Sequence, residues 1–301
     1  MSAFTEGQFQ AVFHDQQTWL VRSGLSKNLK KLSNMKNLRR VVAVIALLCA
    51  ANLSFAQDVK LHVNPRWKEC SFQLDPSLTQ AAWHQFTREA GLVAYFRPLI
   101  DAKPMGAKHF ELSLLNWQTG IDPKQSAWND TFVHPDSTHW LTEGPRLGFP
   151  GLTARVGITK KIDAAIYWTK NPNANYGFYG AQVQYNLLNN LEKKWAASAR
   201  VSFSSIYGPE DLKFNICGLD LIGSKEFPLY SNWVSVSPYV SISTYLSSAH
   251  ETSTKVDLHD EHVIGGQGMV GAVLKLSIAR IGVEYNFAKV NTLSFKLGVM
   301  F

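Results

Sequence analysis

The sequence predicts an all-β protein: a closed antiparallel β-barrel of about ten strands, twelve being the alternative, preceded by a short helical leader. Three observations carry this. The chain ends on strict alternation, with Leu293, Phe295, Leu297, Val299 and Phe301 on one face and Ser294, Lys296, Gly298 and Met300 on the other. A period of two with an all-apolar face suits a sheet that has hydrocarbon on one side. Nine earlier segments repeat the pattern, and ten is the kind of even number that closes a membrane-spanning barrel. The connections also differ in length, with long ones at 122–150 and 249–261 alternating with short ones near Lys160, Asn189 and Ala279 and a slightly longer one at 224–232.

Residues 1–34 lack a periodic pattern and precede a plausible start at Met35, so they read as a mis-assigned start or, alternatively, a cytosolic extension. Residues 35–56 have the layout of a secretory signal peptide. Lys36, Arg39 and Arg40 are basic, Val41 to Ala51 is apolar, and Ser54 and Ala56 offer small residues before Gln57, the expected first mature residue. The apolar run is about half the length a membrane-spanning helix needs. Leu48 before Cys49 does not suit a lipoprotein site. Residues 1–56 hold seven basic and two acidic side chains, so the mature chain falls from +7 to +7 − 5 = +2. The overall basicity is therefore no nucleic-acid footprint, and no nucleic-acid partner is expected. Cys70 and Cys217 remain and could pair in an oxidising compartment.

Residues 57–108 form the leader. Asp75-Pro76 reads as an N-cap followed by Pro at the first helical position. Leu78, Ala82, Phe86, Ala90 and Val93 then give Pro76 to Ala94 an apolar helical face. The helix could enter the lumen as a plug or pack beneath the barrel. A strand over Leu92 to Leu99 is a third reading, and it would change the strand count.

The barrel occupies 109–301. Its first strand spans His109 to Trp117, with Phe110, Leu112 and Leu114 outward and Glu111 and Ser113 inward. Leu152 to Thr159 and Ile162 to Thr169 flank the Lys160-Lys161 turn, with Arg155 and Asp163 opposite the apolar faces. Gly177 to Leu187 and Trp195 to Tyr207 follow, the latter with Arg200 on its polar face. Leu212 to Ile222 changes phase near Gly218, which suggests a bulge. Val234 to Leu246 contains Pro238, where a missing ladder donor suggests another irregularity. Met269 to Ile278 and Arg280 to Phe287 carry Lys275 and Glu284 opposite their apolar faces. Aromatics gather at strand ends, among them Trp117, Trp168, Tyr176, Trp195, Tyr207, Tyr230, Trp233, Tyr245 and Phe301, as the girdles of a membrane barrel would.

A terminal alternating strand ending on an aromatic residue resembles the sorting strand of bacterial outer-membrane β-barrels. The resemblance covers roughly residues 109–301 and singles out no subfamily. It implies residence in the bacterial outer membrane and contact with its lipids and lipopolysaccharide. It also implies recognition by the barrel-insertion machinery through Leu297, Val299 and Phe301. A plugging leader would resemble that of the fatty-acid transporter barrels.

The expected lumen residues are Glu111, Arg155, Asp163, Arg200, Lys275, Glu284 and Lys296, of both signs, which must pair or be wetted. They would form a structural ion network or line a narrow polar pore. His134, His139, His259 and His262 are weak metal candidates, because imidazole suits zinc or copper but loop spacing fixes no geometry. No nucleophile, dinucleotide or phosphate-loop motif stands out, so no cofactor and no catalytic residue is expected. Two function classes remain. One is a passive transporter, small pore or structural envelope protein. The other is a barrel enzyme, a lipid hydrolase or acyl-modifying enzyme, which would need a Ser-His-acid constellation inside or at the rim.

Overall fold

The computed structural model describes residues 71–122, 124–133, 146–170, 174–230 and 234–301. In chain order the elements are β1 (Ser71–Phe72), α1 (Gln80–Val93), β2 (Phe110–Gly120), α2 (Ser126–Asn129), β3 (Phe132–Val133), β4 (Arg146–Gly157), β5 (Ile162–Lys170), β6 (Gly177–Asn190), β7 (Trp195–Tyr207), β8 (Leu212–Lys225), β9 (Phe227–Tyr230), β10 (Val234–Glu251), β11 (Glu261–Leu276), β12 (Ala279–Phe287) and β13 (Thr292–Met300). Ten strands form a closed antiparallel ring, β2-β4-β5-β6-β7-β8-β10-β11-β12-β13 and back to β2, and β9 adds a short pairing to β10. No helix among the described residues is long and apolar enough to cross a membrane.

The period-two pattern sets which residues face out. On β13, Phe295, Leu297, Val299 and the terminal Phe301 are exposed, while Thr292, Ser294 and Lys296 are buried. The same division runs round the ring, for example Leu112 and Leu114 on β2, Ile166 and Trp168 on β5 and Val240 and Ile242 on β10, all exposed. Exposed branched and aromatic side chains on every strand would be a liability in water and suit a hydrocarbon surround. The ring closes where β13 pairs β2, from Thr292 opposite Thr119 to Met300 opposite Glu111. Phe301 completes the seam: its N–H donates to the Phe110 carbonyl at 2.8 Å, and the Phe110 N–H donates back at 3.0 Å.

The two mouths differ. The mouth beside Phe301 is bounded by the turns after β4, β6 and β11 and by the β8–β10 connection that holds β9. The opposite mouth holds the long 121–145 and 252–260 connections together with three short ones. The leader starts at this long-loop mouth. β1 pairs β3 within the 121–145 connection, the Leu74 N–H donates to Asp211 at 3.0 Å, and Gln80 bonds His259 and Glu261.

From α1 the chain runs through the inside of the barrel to the other mouth. Tyr245 and Ser247, inward residues of β10, donate to the α1 carbonyls of Arg88 and Thr87 at 2.9 Å. Tyr95 then reaches Asp220 on β8, Asp101 reaches Lys275 on β11, and the Ala102 carbonyl accepts from Asn186 on β6. Met105 donates from its backbone to Asp163 on β5, and Lys108 donates to the Gly157 carbonyl at the end of β4. A segment that touches inward side chains of four different strands within about ten residues can only lie in the lumen. Two glycines make room for it. A Cβ on Gly218 would sit 2.4 Å from the Tyr95 hydroxyl, and one on Gly157 would sit 1.7 Å from the Gly106 carbonyl oxygen.

Several sequence expectations change. The helix begins later than Pro76, because Asp75 instead accepts from the backbone and hydroxyl of Ser77 in a tight turn, and Thr79 caps Ala82 at 3.3 Å. Leu92 to Leu99 is no strand: α1 ends at Val93 and the rest is irregular backbone. β8 keeps one phase throughout, with Phe214, Ile216, Gly218, Asp220 and Ile222 all inward and its pairings continuous. The misreading came from lumen chemistry, since the half of β8 facing α1 needs apolar inward residues and the other half does not. Pro238 stays in register with Ala272. On its other side pairing passes from β9 to β8 at that point, so the missing donor interrupts no ladder. Irregularities lie instead at Val234/Ser235 and Asn186/Leu188. Trp117, Tyr176 and Tyr245 are not girdle residues. They point inward and are buried, and the Trp117 indole donates to the Val93 carbonyl at 3.0 Å. Cys70 lies outside the described residues, as do His134 and His139.

Candidate functional site

The filled lumen is the candidate site, and it has three storeys. Nearest the long loops the contents are aromatic. Trp83 and Phe86 of α1 stack at 5.4 Å, and Phe86 meets Trp128 edge-on at 5.2 Å. Phe72 packs on Tyr176 at 4.6 Å, and Phe149 packs on Phe178 at 5.1 Å. Each fully buried aromatic contributes roughly 1.5–3 kcal/mol through removal of apolar surface from water. Glu89, though buried, accepts from the Trp128 indole at 2.6 Å and so is not left unsatisfied.

The middle storey turns the leader from helix to extended chain. Arg97 is fully buried and caps the end of α1, donating to the carbonyls of Leu92 at 2.5 Å and Tyr95 at 2.9 Å. A cation at the helix C-terminus complements both the unpaired carbonyls and the dipole. Phe96 lies flat on Tyr167 at 4.1 Å, and the Tyr167 hydroxyl bonds Ser204 at 2.8 Å. Arg200 and Asp220 pair across β7 and β8 at 2.5 Å, and Asp220 also accepts from Tyr95 at 2.7 Å and from Ser243. Glu284 accepts from Tyr239 at 2.7 Å.

The storey nearest Phe301 is ionic. Lys296 pairs Glu111 at 2.8 Å, Arg155 pairs Asp163 at 2.5 Å, Lys275 pairs Asp101 at 2.7 Å, and Lys103 pairs Glu226 at 2.7 Å. Two cavities of about 230 and 210 Å³ flank Asp101 and Lys103. Burial pushes the Glu226 carboxyl up, but bonds from Lys103 and Ser235 and the Lys275 charge hold it down at about 2.

The structure thus places Glu111, Arg155, Asp163, Arg200, Glu284 and Lys296 in buried inward positions and Lys275 at the Phe301 mouth, distributed over two storeys. Sequence reading missed Asp220, because a phase change was assigned at Gly218; an unbroken even-numbered face on β8 would have exposed it. It also missed Tyr95, Arg97 and Asp101, because irregular leader backbone carries no period that fixes a face.

At the long-loop rim, His84 meets Glu261 at 2.7 Å and His250 meets Asp260 at 2.6 Å. His262 contacts the Ser248 hydroxyl at 3.0 Å on the outer face of β10 and β11, and the His259 backbone exchanges two hydrogen bonds with the Gln80 side chain, its N–H donating at 3.0 Å and its carbonyl accepting at 3.2 Å. Among the described residues no three His, Cys, Asp or Glu side chains come together as a metal site. The contacts build separate pairs, with Asp260 on His250 and Ser248 on His262, rather than a serine, histidine and acid in series.

Comparison with solved structures finds similar chains at low identity. Ail, the attachment invasion locus protein of Yersinia pestis, is 12% identical, with 65% of this chain and 100% of that one covered and a TM-score of 0.27. The N-terminal β-barrel domain of Pseudomonas aeruginosa OprF is 10% identical over the same shares, with a TM-score of 0.26. LpxR from Salmonella typhimurium is 10% identical, with 63% and 100% covered and a TM-score of 0.34. A search of curated proteins finds no match. A family model described as a family of unknown function (DUF6588) matches residues 129–301, spanning β3 to the final strand, and the chain belongs to that family.

Proposed function

We propose that this protein is a bacterial outer-membrane β-barrel sealed by its own leader, a structural envelope protein rather than an open pore. The observation that carries the reading is the leader's path. Residues 95–105 hydrogen-bond or ion-pair with β5, β6, β8 and β11, so the conducting route is occupied from wall to wall. The outward apolar surface suits membrane lipid, with lipopolysaccharide on the outer side, and short turns beside Phe301 suit the periplasmic face. The signal at 35–56 would deliver the chain for export, and Leu297, Val299 and Phe301 would present it to the insertion machinery. In that orientation β1 and the described parts of the long connections lie on the outer side of the membrane.

The test has two readouts. The chain from Gln57, refolded into a planar bilayer, is expected to give negligible conductance; a stable ion-selective current overturns the sealed reading. An epitope inserted before Ser71 is expected to be cut by protease on intact cells; cleavage only after permeabilisation overturns the orientation. A rim enzyme acting on lipid is the second reading, favoured by the Ser248–His262 contact on the outer face. Phospholipid hydrolysis by refolded protein, abolished in Ser248→Ala, would replace the first reading with it.

A further inference from the structure

The cavity of about 210 Å³ at the Phe301 mouth has an unbalanced charge. Its lining includes the cations Lys103, Arg155, Lys275, Arg280 and Lys296 and the carboxylates Asp101 and Glu111. Four of these cations have a carboxylate each: Arg155 has Asp163, Lys275 has Asp101, Lys296 has Glu111 and Lys103 has Glu226. Arg280 has none within ion-pair distance among the described residues, although Glu111, Asp101 and Glu226 lie near enough to act on its charge. Its guanidinium donates to the backbone carbonyls of Ser277 at 2.6 Å and Ala279 at 2.9 Å, and reaches the Met300 sulfur at 3.7 Å. Yet Arg280 is only 8% exposed.

A second observation points the same way. Arg155 is 6% exposed, and its buried Nε has no hydrogen-bond partner in the described structure. A buried cation without a counter-charge is costly, and a buried donor without an acceptor adds to that cost. Both residues line one cavity, and both would gain from a negative charge carried on oxygen. Guanidinium forks match carboxylate and phosphate oxygens in geometry as well as charge. The volume is below the roughly 300–1,000 Å³ of pockets for drug-sized ligands, so it selects a compact group.

We propose that this cavity is a binding site for a compact oxyanion, a phosphate or a carboxylate group, held chiefly by Arg280 with Arg155 beside it. The site lies between the leader and the barrel wall, since Ile100 and Met105 line it together with Val273 and Met300. An anion seated there would balance the charge of β4 and β12 and clamp the leader's last turn. It does not depend on the display of residues upstream of Ser71.

The test uses the chain from Gln57 refolded in neutral detergent. Sodium phosphate, sodium acetate and a short-chain phosphatidylglycerol are titrated calorimetrically at matched ionic strength, with sodium chloride as reference. Saturable one-to-one binding of at least one probe is expected, weakened at least about tenfold in R280Q, the loss expected when a charge-assisted hydrogen bond is removed. R280K keeps the charge but loses the planar fork, and is expected to weaken binding several-fold. Preference for free phosphate or acetate over the lipid assigns a soluble anion; the reverse order assigns a headgroup. No saturable binding beyond chloride overturns the proposal. So does an affinity unchanged in R280K, which decides the matter even if R280Q fails to fold.

Discussion

The two ends of one lumen are filled in opposite ways. Toward the long loops, α1 is held by Trp83, Phe86, Trp128 and their aromatic neighbours. Toward Phe301, the extended leader is held by Lys275–Asp101, Lys103–Glu226 and the nearby wall pairs Lys296–Glu111 and Arg155–Asp163. Apolar packing stabilises without demanding an exact partner, so a helix can be seated by shape and volume. Ion pairs contribute less net stability, because desolvation offsets attraction, but they are intolerant of a missing partner. An extended segment has no apolar stripe to seat it, and its register against the wall is set by those partners.

That contrast can be broken by single substitutions. Asp163→Asn preserves shape but strands the buried Arg155, and is expected to lower unfolding stability in urea by about 3–5 kcal/mol. Phe86→Leu shrinks the side chain but keeps an apolar filling, and is expected to cost about 1–2 kcal/mol. If Phe86→Leu proves the costlier, the distinction between the two ends fails.

A smaller effect concerns acid. Glu226 is held at about 2, well below the 4.5 usual for a glutamate carboxyl. A carboxyl lowered by folding contributes stability that is complete above the unfolded value and is lost as pH falls through the folded one. The Phe301 end should therefore loosen between about 4.5 and about 2. Unfolding midpoints across that range are expected to fall less steeply in Glu226→Gln; parallel slopes would remove Glu226 from the account. The smallest effect is expected from Lys103→Met. Its side chain is 43% exposed, so its pair with Glu226 is worth about 0–1 kcal/mol, measured by the same urea titration.

The barrel was legible because its signal is local and repeated. Leu293 to Phe301 alone states which face points outward, and nine further segments restate it. The leader was legible only where it is helical. Phe86 and Ala90 fall on a helical stripe, but Tyr95, Arg97 and Asp101 take their positions from walls far away in sequence. The Arg200–Asp220 pair was hidden for a different reason. The inward face of β8 changes from Phe214 and Ile216 to Asp220 because what it touches changes from α1 to extended chain. A pattern read on polarity alone mistakes such a change of neighbour for a change of phase. Arg280 sits at the start of β12, where the alternation is too short to mark it out.

The seam between Phe110 and Phe301 also dictates an order of assembly. The leader passes from β1 at one mouth through the lumen to β2 at the other, so the ring encircles it as a bead encircles a string. Lys296 and Glu111, which join across that seam, are 185 residues apart in sequence. Nearly the whole chain must be in place before they can meet, and contacts of such separation form slowly. Threading a string whose rings fit their neighbours at van der Waals distance through a finished bead would require stripping every one of those contacts. The simpler history is that the sheet curls around a leader already laid along it and the last strand clasps the first. The residue that ends the chain is thus the one that locks the string inside.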